Sequence, residues 1–135
     1  MKVHGQCHCK QITFEAEIDP DKVAVCHCTD CQTFSGAPFR ASVPAPAAQF
    51  RLLSGKPKVY VKTAESGNRR RQHFCGDCGT ALAASDDSDN PATYGLRVGC
   101  LAERAQLTPV RASWRRSALP LSLDIRSLPG PERQS

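Results

Sequence analysis

Seven cysteines in three short clusters constrain the fold of this chain more than any other feature of its sequence. The first cluster has the spacing C-x-C (Cys7, Cys9), the second C-x-C-x-x-C (Cys26, Cys28, Cys31) and the third C-x-x-C (Cys75, Cys78). Such regular spacing is typical of thiolate ligands or redox thiols rather than of core packing. The eighth cysteine, Cys100, alternates with Tyr94, Leu96 and Val98 in a strand-like pattern, so we expect it in the core.

The length and composition predict one small domain that needs help from bound metal. The chain has 135 residues, the usual size of a single domain. Hydrophobic residues make up 40% of it and aromatic residues 6%, a small supply for a self-sufficient core. Prolines, a glycine and charged residues without apolar periodicity dominate its end. We therefore predict a metal-binding domain at residues 1–125 and a flexible tail at residues 126–135.

The sequence shows no apolar run of signal-peptide length and none of the roughly 20 residues that a membrane span needs. We expect a soluble, cytoplasmic protein without a membrane partner, in which paired cysteines stay reduced. The formal net charge is +5. Seven thiolates with two zinc dications would add −3 to this charge and leave about +2. Such a mild charge does not favour a nucleic-acid partner, and no nucleic-acid-binding motif is visible.

The apolar pattern predicts a mainly β fold of many short strands. In "QITFEAEI", Ile12, Phe14, Ala16 and Ile18 alternate with polar residues, the period of a half-buried strand. Shorter strand signals occur in "VAV" before Cys26 and at 38–43, 58–63 and 94–100. Helical signals are limited to one short turn, starting near Thr29 or Asp30 and ending around Gly36.

The first and third clusters together supply four thiolates, the ligand number of a closed structural zinc site. Residues i and i+2 of an extended segment point to the same side, so each C-x-C offers two sulfurs to one ion. Gly76 and Gly79 suit a tight turn around the C-x-x-C. We predict a structural zinc site of Cys7, Cys9, Cys75 and Cys78. A redox C-x-x-C is the alternative, although the βαβ context of such motifs is missing.

The middle cluster has three ligands and no obvious fourth, which is typical of catalytic zinc with an open position. We predict such a site at Cys26, Cys28 and Cys31. Two alternatives are a closed site with His27, His8 or His73 as fourth ligand, and cysteines that are merely small buried residues. His27 lies between two ligands and should point away from the metal if this segment is extended. Three thiolates weaken zinc as an electrophile, yet an incoming thiol would still lose its proton, which favours a sulfur substrate.

Three segments carry a resemblance to a known family. "GQCHCKQITF", "CHCTDCQTFSG" and "HFCGDCGTAL", in this order, resemble the glutathione-dependent formaldehyde-activating enzyme family, also named for centromere protein V, over roughly residues 4 to 125. The resemblance implies several coiled antiparallel β-sheets, a structural zinc on Cys7, Cys9, Cys75 and Cys78, and a catalytic zinc on Cys26, Cys28 and Cys31. It also implies addition of glutathione to formaldehyde, formally a carbon–sulfur lyase activity with a thiol and a small aldehyde as partners.

Some positions depart from the family pattern, and other residues are open to two interpretations. Lys10 follows the first C-x-C where members often have glycine, and Ala102 and Leu121 replace residues typical of the family near the C-terminus. His27 and His73 are candidates to move the proton that the addition of a thiol to an aldehyde transfers. Of these two we include His27 in the predicted catalytic set.

The run Arg69, Arg70 and Arg71 either binds anionic groups of the substrate or forms a solvated face. If the segment is a strand, Arg69 and Arg71 share one face. The alternative to an enzyme is a binding module with two structural zinc ions and a protein or nucleic-acid partner.

Overall fold

Ten β-strands and one α-helix make up the regular structure of residues 1–122 and 124–133, the part of the chain that the computed structural model describes. The helix, α1, is Thr29–Ser35. The strands, β1 to β10 in chain order, are Lys2–Gln6, Thr13–Glu17, Ala24–Cys26, Arg40–Pro46, Phe50–Ser54, Lys58–Thr63, Arg69–Phe74, Ala81–Asp86, Thr93–Arg97 and Arg111–Ser113. The prediction of a mainly β fold with at most short helical turns is confirmed.

The strands form two sheets. Three strands make a small sheet in the order β1-β2-β5, and seven make a large sheet in the order β10-β3-β4-β9-β8-β7-β6. All pairs are antiparallel except β10 with β3, which is parallel. A bridge between Gly5 and Leu101 links β1 to the segment after β9.

The core lies between the two sheets. Alternate residues of the large sheet, such as the fully buried Val43 and Leu96, face the buried residues of the small sheet. The ring of Phe50 bridges the sheets, with its centroid 5.2 Å from that of Phe14 and 4.6 Å from that of Tyr94. The alternation predicted in β2 is confirmed, because Ile12, Phe14, Ala16 and Ile18 are all buried.

Helix α1 covers the opposite face of the large sheet. The ring centroids of Phe34 on α1 and Tyr60 on β6 lie 6.0 Å apart. Nearby, Lys62 Nζ donates a hydrogen bond to Asp30 Oδ2 over 2.8 Å. These contacts attach the helix to the far edge of the sheet and leave a cleft between the helix and the central strands.

The ends of the predicted elements differ in detail from those observed. The helix ends as expected at Gly36, whose φ of 61° closes it, but its N-cap is Cys28 rather than Thr29 or Asp30. The strand predicted at 94–100 stops at Arg97, because Val98–Cys100 form a 3₁₀ turn. Cys100 is buried in the core, as predicted.

Residues 124–133 contain neither strand nor α-helix. Positions 134 and 135 of the predicted tail lie outside the described residues, and so does position 123, which precedes the tail. The domain boundary at residue 125 stays a prediction. In the part of the chain that the structure describes, no helix is long and apolar enough to cross a membrane.

Candidate metal centres

The first and third clusters meet at one point of the structure. The Sγ atoms of Cys7, Cys9, Cys75 and Cys78 all lie within 4.8 Å of one another. Those of Cys7 and Cys9 are 3.5 Å apart and those of Cys9 and Cys75 are 3.7 Å apart. A tetrahedron with Zn–S bonds of about 2.3 Å has edges of about 3.8 Å. This four-sulfur cluster could therefore hold a metal ion, and zinc fits its spacing.

A tight turn presents Cys75 and Cys78. The Gly79 N–H donates to the Cys75 carbonyl over 2.9 Å, and the Cys75 N–H donates to the Thr80 carbonyl over 3.0 Å. Gly79 has a φ of 78°, a left-handed value that glycine adopts without steric cost. Gly76, the other glycine of the predicted turn, does not have a positive φ.

The C-x-C pair is held by a turn, so the predicted extended geometry is wrong here. Strand β1 ends at Gln6, and the Lys10 N–H donates to the Cys7 carbonyl over 3.0 Å to close the turn. Lys10 itself has a φ of 68°, in the left-handed region. The position after the pair thus has the backbone geometry that favours glycine.

The electrostatics of the four-sulfur cluster favour a bound cation. A backbone hydrogen bond from Gln11 lowers the pKa of Cys9, but burial and the neighbouring sulfurs outweigh it and raise that pKa to about 12. Hydrogen bonds, first of all from the Thr80 side chain, lower the pKa of Cys78 to about 5. Neighbouring thiols therefore do not ionise together, whereas a dication among them would allow all four to be thiolates.

The middle cluster forms where β3 passes into α1. The Sγ atoms of Cys26, Cys28 and Cys31 all lie within 4.8 Å of one another, so this three-sulfur cluster could hold a second ion. Cys26 ends β3, Cys28 is the N-cap of α1, and Cys31 lies in the first turn of the helix. The Cys31 N–H donates to Cys28 Sγ over 3.3 Å. The strand end and the helix cap together bring three sulfurs to one point.

No histidine, aspartate or glutamate of the described residues joins this three-sulfur cluster. The buried ring of His27 packs edge-on against Phe39, with centroids 5.6 Å apart, and its Nδ1 has no partner in the described chain. His73 Nε2 lies 2.9 Å from Ser85 Oγ, and burial lowers the pKa of His73, aided by the charges of Arg71 and Arg97. The N–H of His8, the third proposed ligand, donates to Thr80 beside the other cluster.

Two residues that the sequence analysis missed adjust the thiols of this cluster. Burial raises the pKa of Cys26, but hydrogen bonds outweigh it, first of all that from the Ser113 side chain, and lower the pKa. Burial also raises the pKa of Cys31 to about 12, and the positive charge of Arg40 opposes this rise. Ser113 lies on β10 and is paired with Cys26, a contact that nothing in the local sequence indicates.

A row of polar residues runs from the three-sulfur cluster across the helix-covered face of the large sheet. Cys26 pairs with Arg40 between β3 and β4, and Ser42 pairs with Arg97 between β4 and β9. Directly opposed residues, and residues two apart on a strand, project from the same face. Gln72 on β7 reaches both arginines of this row.

Two arginines of the run at 69–71 have a structural role. Arg69 Nε and Arg71 Nε donate to the two carboxylate oxygens of Asp87 over 2.8 and 2.9 Å, and Arg71 Nη2 donates to Asp89 over 3.2 Å. These bonds hold the turn after β8. Two of the three arginines are therefore engaged with acidic side chains on one strand face, as the strand alternation predicts.

Two cavities of about 400 and 460 Å³ make up the cleft between α1 and the sheet. They share the lining residues Phe34, Arg40, Gly79 and Ala81. Phe34 lies on the helix that carries Cys31, and Gly79 follows Cys78. The cleft therefore lies between the segments that carry the two clusters.

Comparisons with known proteins agree with this architecture. A crystal structure of a Rhodobacter sphaeroides protein superposes with a TM-score of 0.62 at 22% sequence identity, covering 84% of this chain and 100% of that one, which shows a shared fold. A Schizosaccharomyces pombe protein named "uncharacterized lyase" is 32% identical over 82 residues, 58% of this chain; the chain spans about half of that relative, 53%. Residues 2–117 match the family described as "Glutathione-dependent formaldehyde-activating enzyme", and the chain belongs to this family.

Proposed function

We propose that this protein is a zinc-dependent enzyme of the carbon–sulfur lyase type that acts on adducts of a thiol, such as glutathione, with a small aldehyde, such as formaldehyde. The observation that carries the proposal is the three-sulfur cluster, which has no fourth ligand among the histidine, aspartate and glutamate side chains of the described residues. Three protein ligands with one open position are typical of catalytic rather than structural zinc.

Cys26, Cys28 and Cys31 would hold the catalytic ion, and Cys7, Cys9, Cys75 and Cys78 the structural one. Bound zinc would supply acidification of an incoming thiol and polarisation of an aldehyde oxygen. The donor set supports this assignment, because thiolates are soft ligands that select zinc over magnesium or calcium. Fully loaded protein would therefore contain two zinc ions per chain.

The chain's own residues position and tune the site. The Ser113 hydroxyl, which donates to the Val25 carbonyl over 3.4 Å, lies beside Cys26 and lowers the pKa of its thiol. The charge of Arg40 favours the thiolate of Cys31. His27, between two of the ligands, is our proposed carrier of the transferred proton, since its buried Nδ1 has no hydrogen-bond partner in the described chain.

The proposed reaction needs no oxidant or further reactant. The substrate sulfur forms a bond to the carbonyl carbon, the carbonyl becomes a hydroxyl group, and the proton of the thiol ends on that oxygen. The reverse reaction breaks the same C–S bond, which gives the lyase class. Membership of the family and the lyase name of the yeast relative support this reaction type. Free thiol clusters also support a reducing compartment, and we propose the cytoplasm.

The test compares Cys28→Ser with Cys78→Ser. We expect wild-type protein to contain two zinc ions, and Cys28→Ser to contain one, keep its cooperative melting transition and lose thiol-dependent aldehyde consumption. Cys78→Ser should lose the fold. If Cys28→Ser melts as early as Cys78→Ser, both ions are structural, and the protein is a binding module for a protein or nucleic-acid partner instead.

A further inference from the structure

One buried arginine, Arg40, and one partly buried arginine, Arg97, converge on one neutral oxygen beneath the cleft. Arg40 Nη1 donates to Gln72 Oε1 over 3.1 Å, and Arg97 Nη2 donates to the same oxygen over 2.9 Å. Arg97 Nη1 also donates to Ser42 Oγ over 2.8 Å. The Nε atoms of both arginines are buried without a partner in residues 1–122 and 124–133. Arg40 is only 7% exposed, so water contributes little to its solvation.

This arginine pair, Arg40 and Arg97, lacks the acidic partner that other basic residues of the protein have. Within the described chain, neither guanidinium forms an ion pair. In contrast, Arg71 forms an ion pair with Asp87, and Lys62 forms one with Asp30. Burial lowers the pKa of Arg97 to about 9, and the nearby charge of Arg40 lowers it further in the same direction. Two cations side by side, one buried and one partly buried, are costly unless an anion compensates them.

The three-sulfur cluster compensates only half of this charge. Three thiolates with one dication carry a net charge of −1, against +2 on the arginine pair. One positive charge remains in this group, and Arg70 adds another nearby, so this face favours an anion. The charges that act most strongly on Arg97 are those of Arg40, Cys31, Arg70 and Cys100, and none of these four is a carboxylate.

This excess charge lies at the cleft, one strand away from the three-sulfur cluster. Arg40 is the direct cross-strand partner of Cys26, so the two side chains share one face of the sheet. Arg40 lines both cavities of the cleft, and Arg97 lines the larger. Phe34 and Ala81 give the cleft apolar walls, and its volume suits a small organic molecule.

We propose that the arginine pair binds the carboxylate of a small anionic thiol and so directs the sulfur of that thiol to the three-sulfur cluster. The guanidinium group is planar and presents its donors in a fork that matches a carboxylate. The proposal deepens the proposed function, on which it rests for the role of the sulfur. It adds that the substrate class is thiols that carry a carboxylate near the sulfur.

The test titrates zinc-reconstituted protein with two matched probes, 3-mercaptopropionate and 3-mercaptopropionamide, in a calorimeter. Wild-type protein should bind the acid at least about tenfold more tightly than the amide, because hydrogen bonds between charged groups are stronger than those to a neutral amide. Gln72→Glu places a carboxylate of nearly unchanged shape on both arginines. Gln72→Glu should therefore abolish the preference for the acid over the amide and raise the melting temperature of the protein.

Two further variants serve as controls. Arg116 is an exposed arginine whose guanidinium lies over Trp114, and Arg116→Gln should keep the full preference for the acid. Arg97→Gln removes one charge of the pair and should lower the preference, which provides a second measurement if Gln72→Glu fails to fold. Equal binding of acid and amide by wild-type protein, or a full preference in Arg97→Gln, overturns the proposal.

Sulfur-free probes separate this proposal from the proposed function. Propionate should raise the melting temperature of wild-type protein and not that of Gln72→Glu. Tighter binding of inorganic phosphate than of propionate overturns the assignment to carboxylates. If neither thiol supports aldehyde consumption while the preference for acid over amide persists, the enzymatic proposal fails and the anion site stands.

Discussion

The sulfurs of Cys9 and Cys75 lie 3.7 Å apart although 66 positions separate them in the sequence. This contact joins the segment after β1 to the turn between β7 and β8, and hence the small sheet to the large one. Closing a loop of this length costs the chain roughly 4 kcal/mol of conformational entropy. Metal binding at the four-sulfur cluster would therefore contribute to the free energy of folding itself.

We expect Cys75→Ser to lose one zinc ion and most of its stability. Structural zinc contributes on the order of 10 kcal/mol in small domains, which is as much as the whole stability of a typical domain. Cys100→Ala is the control, since Cys100 is buried in the core outside both clusters. That variant should keep two ions and lose about 1–2 kcal/mol. Metal content and thermal unfolding measure both, and a stable Cys75→Ser protein would contradict a structural role.

Cys28 has two roles, since it is a proposed metal ligand and also the N-cap of α1, and two substitutions separate them. Cys28 Sγ accepts a hydrogen bond from the Cys31 N–H, and serine is a good replacement at this position of a helix. Both Cys28→Ser and Cys28→Ala should lose the ion of the three-sulfur cluster. The alanine variant should unfold with about 1 kcal/mol less free energy than the serine variant. Denaturant unfolding in excess zinc measures the difference, and equal stability would show that the cap contributes nothing.

The left-handed backbone of Lys10 predicts an unusual order of stability. Both Lys10→Gly and Lys10→Ala remove the charged chain of Lys10, but only glycine lacks a Cβ and adopts a φ of 68° without strain. The left-handed conformation costs other residues roughly 1–2 kcal/mol, and the greater freedom of glycine in the unfolded chain offsets part of this. We expect the glycine variant to be more stable by about 0.5–1 kcal/mol in thermal unfolding. A more stable alanine variant would show that the strain is relieved locally.

The contact between His4 and Glu103 predicts a pH dependence. The His4 N–H donates to Glu103 Oε2 over 2.9 Å, and His4 Nδ1 lies 2.7 Å from Oε1. Burial raises the pKa of Glu103, but the hydrogen bonds from His4 outweigh it and hold the pKa below its ordinary value. A depressed pKa in the folded state gives stability that is complete above the unfolded pKa of about 4.3 and is lost as the pH falls through the folded value.

Glu103→Gln isolates this contribution from acid release of metal, which affects both proteins alike. The free energy of unfolding of the wild type should exceed that of the variant by about 1 kcal/mol between pH 5 and 7. The difference should shrink below about pH 4.3. A difference that stays constant down to the acid limit of the fold would show that the carboxylate keeps an ordinary pKa. Chemical denaturation at each pH provides the values.

Local patterns of the sequence predicted those parts of the structure that local physics determines. The alternation in β2 follows from the pleat of a half-buried strand, and the β-branched and aromatic residues of Lys58–Thr63 favour a strand. Gly36 ends the helix where its backbone freedom is needed. Sulfur geometry was also predictable, because ligand number and spacing divide seven thiols into four and three. Only the reason given for the first pair was wrong, since a turn rather than an extended strand presents Cys7 and Cys9.

The residues that surround the three-sulfur cluster could not be predicted in this way. Ser113, Arg40 and Arg97 come from three strands, and only the pairing register of the large sheet places them on the same face as Cys26. Register between distant strands depends on the whole fold and leaves no local signal in the sequence. The arginine run at 69–71 was a candidate anion site because of its composition. In the structure, Arg69 and Arg71 instead bind Asp87 in the turn after β8.

The parallel pairing of β10 with β3 has a consequence for biosynthesis. Translation begins at the N-terminus, so Cys26, Cys28 and Cys31 leave the ribosome well before residues 111–113, which complete the outer side of their strand. During that interval the nascent chain exposes three adjacent thiols and one unpaired strand edge. Early capture of a metal ion by the growing polypeptide would protect these thiols from oxidation until the last strand arrives.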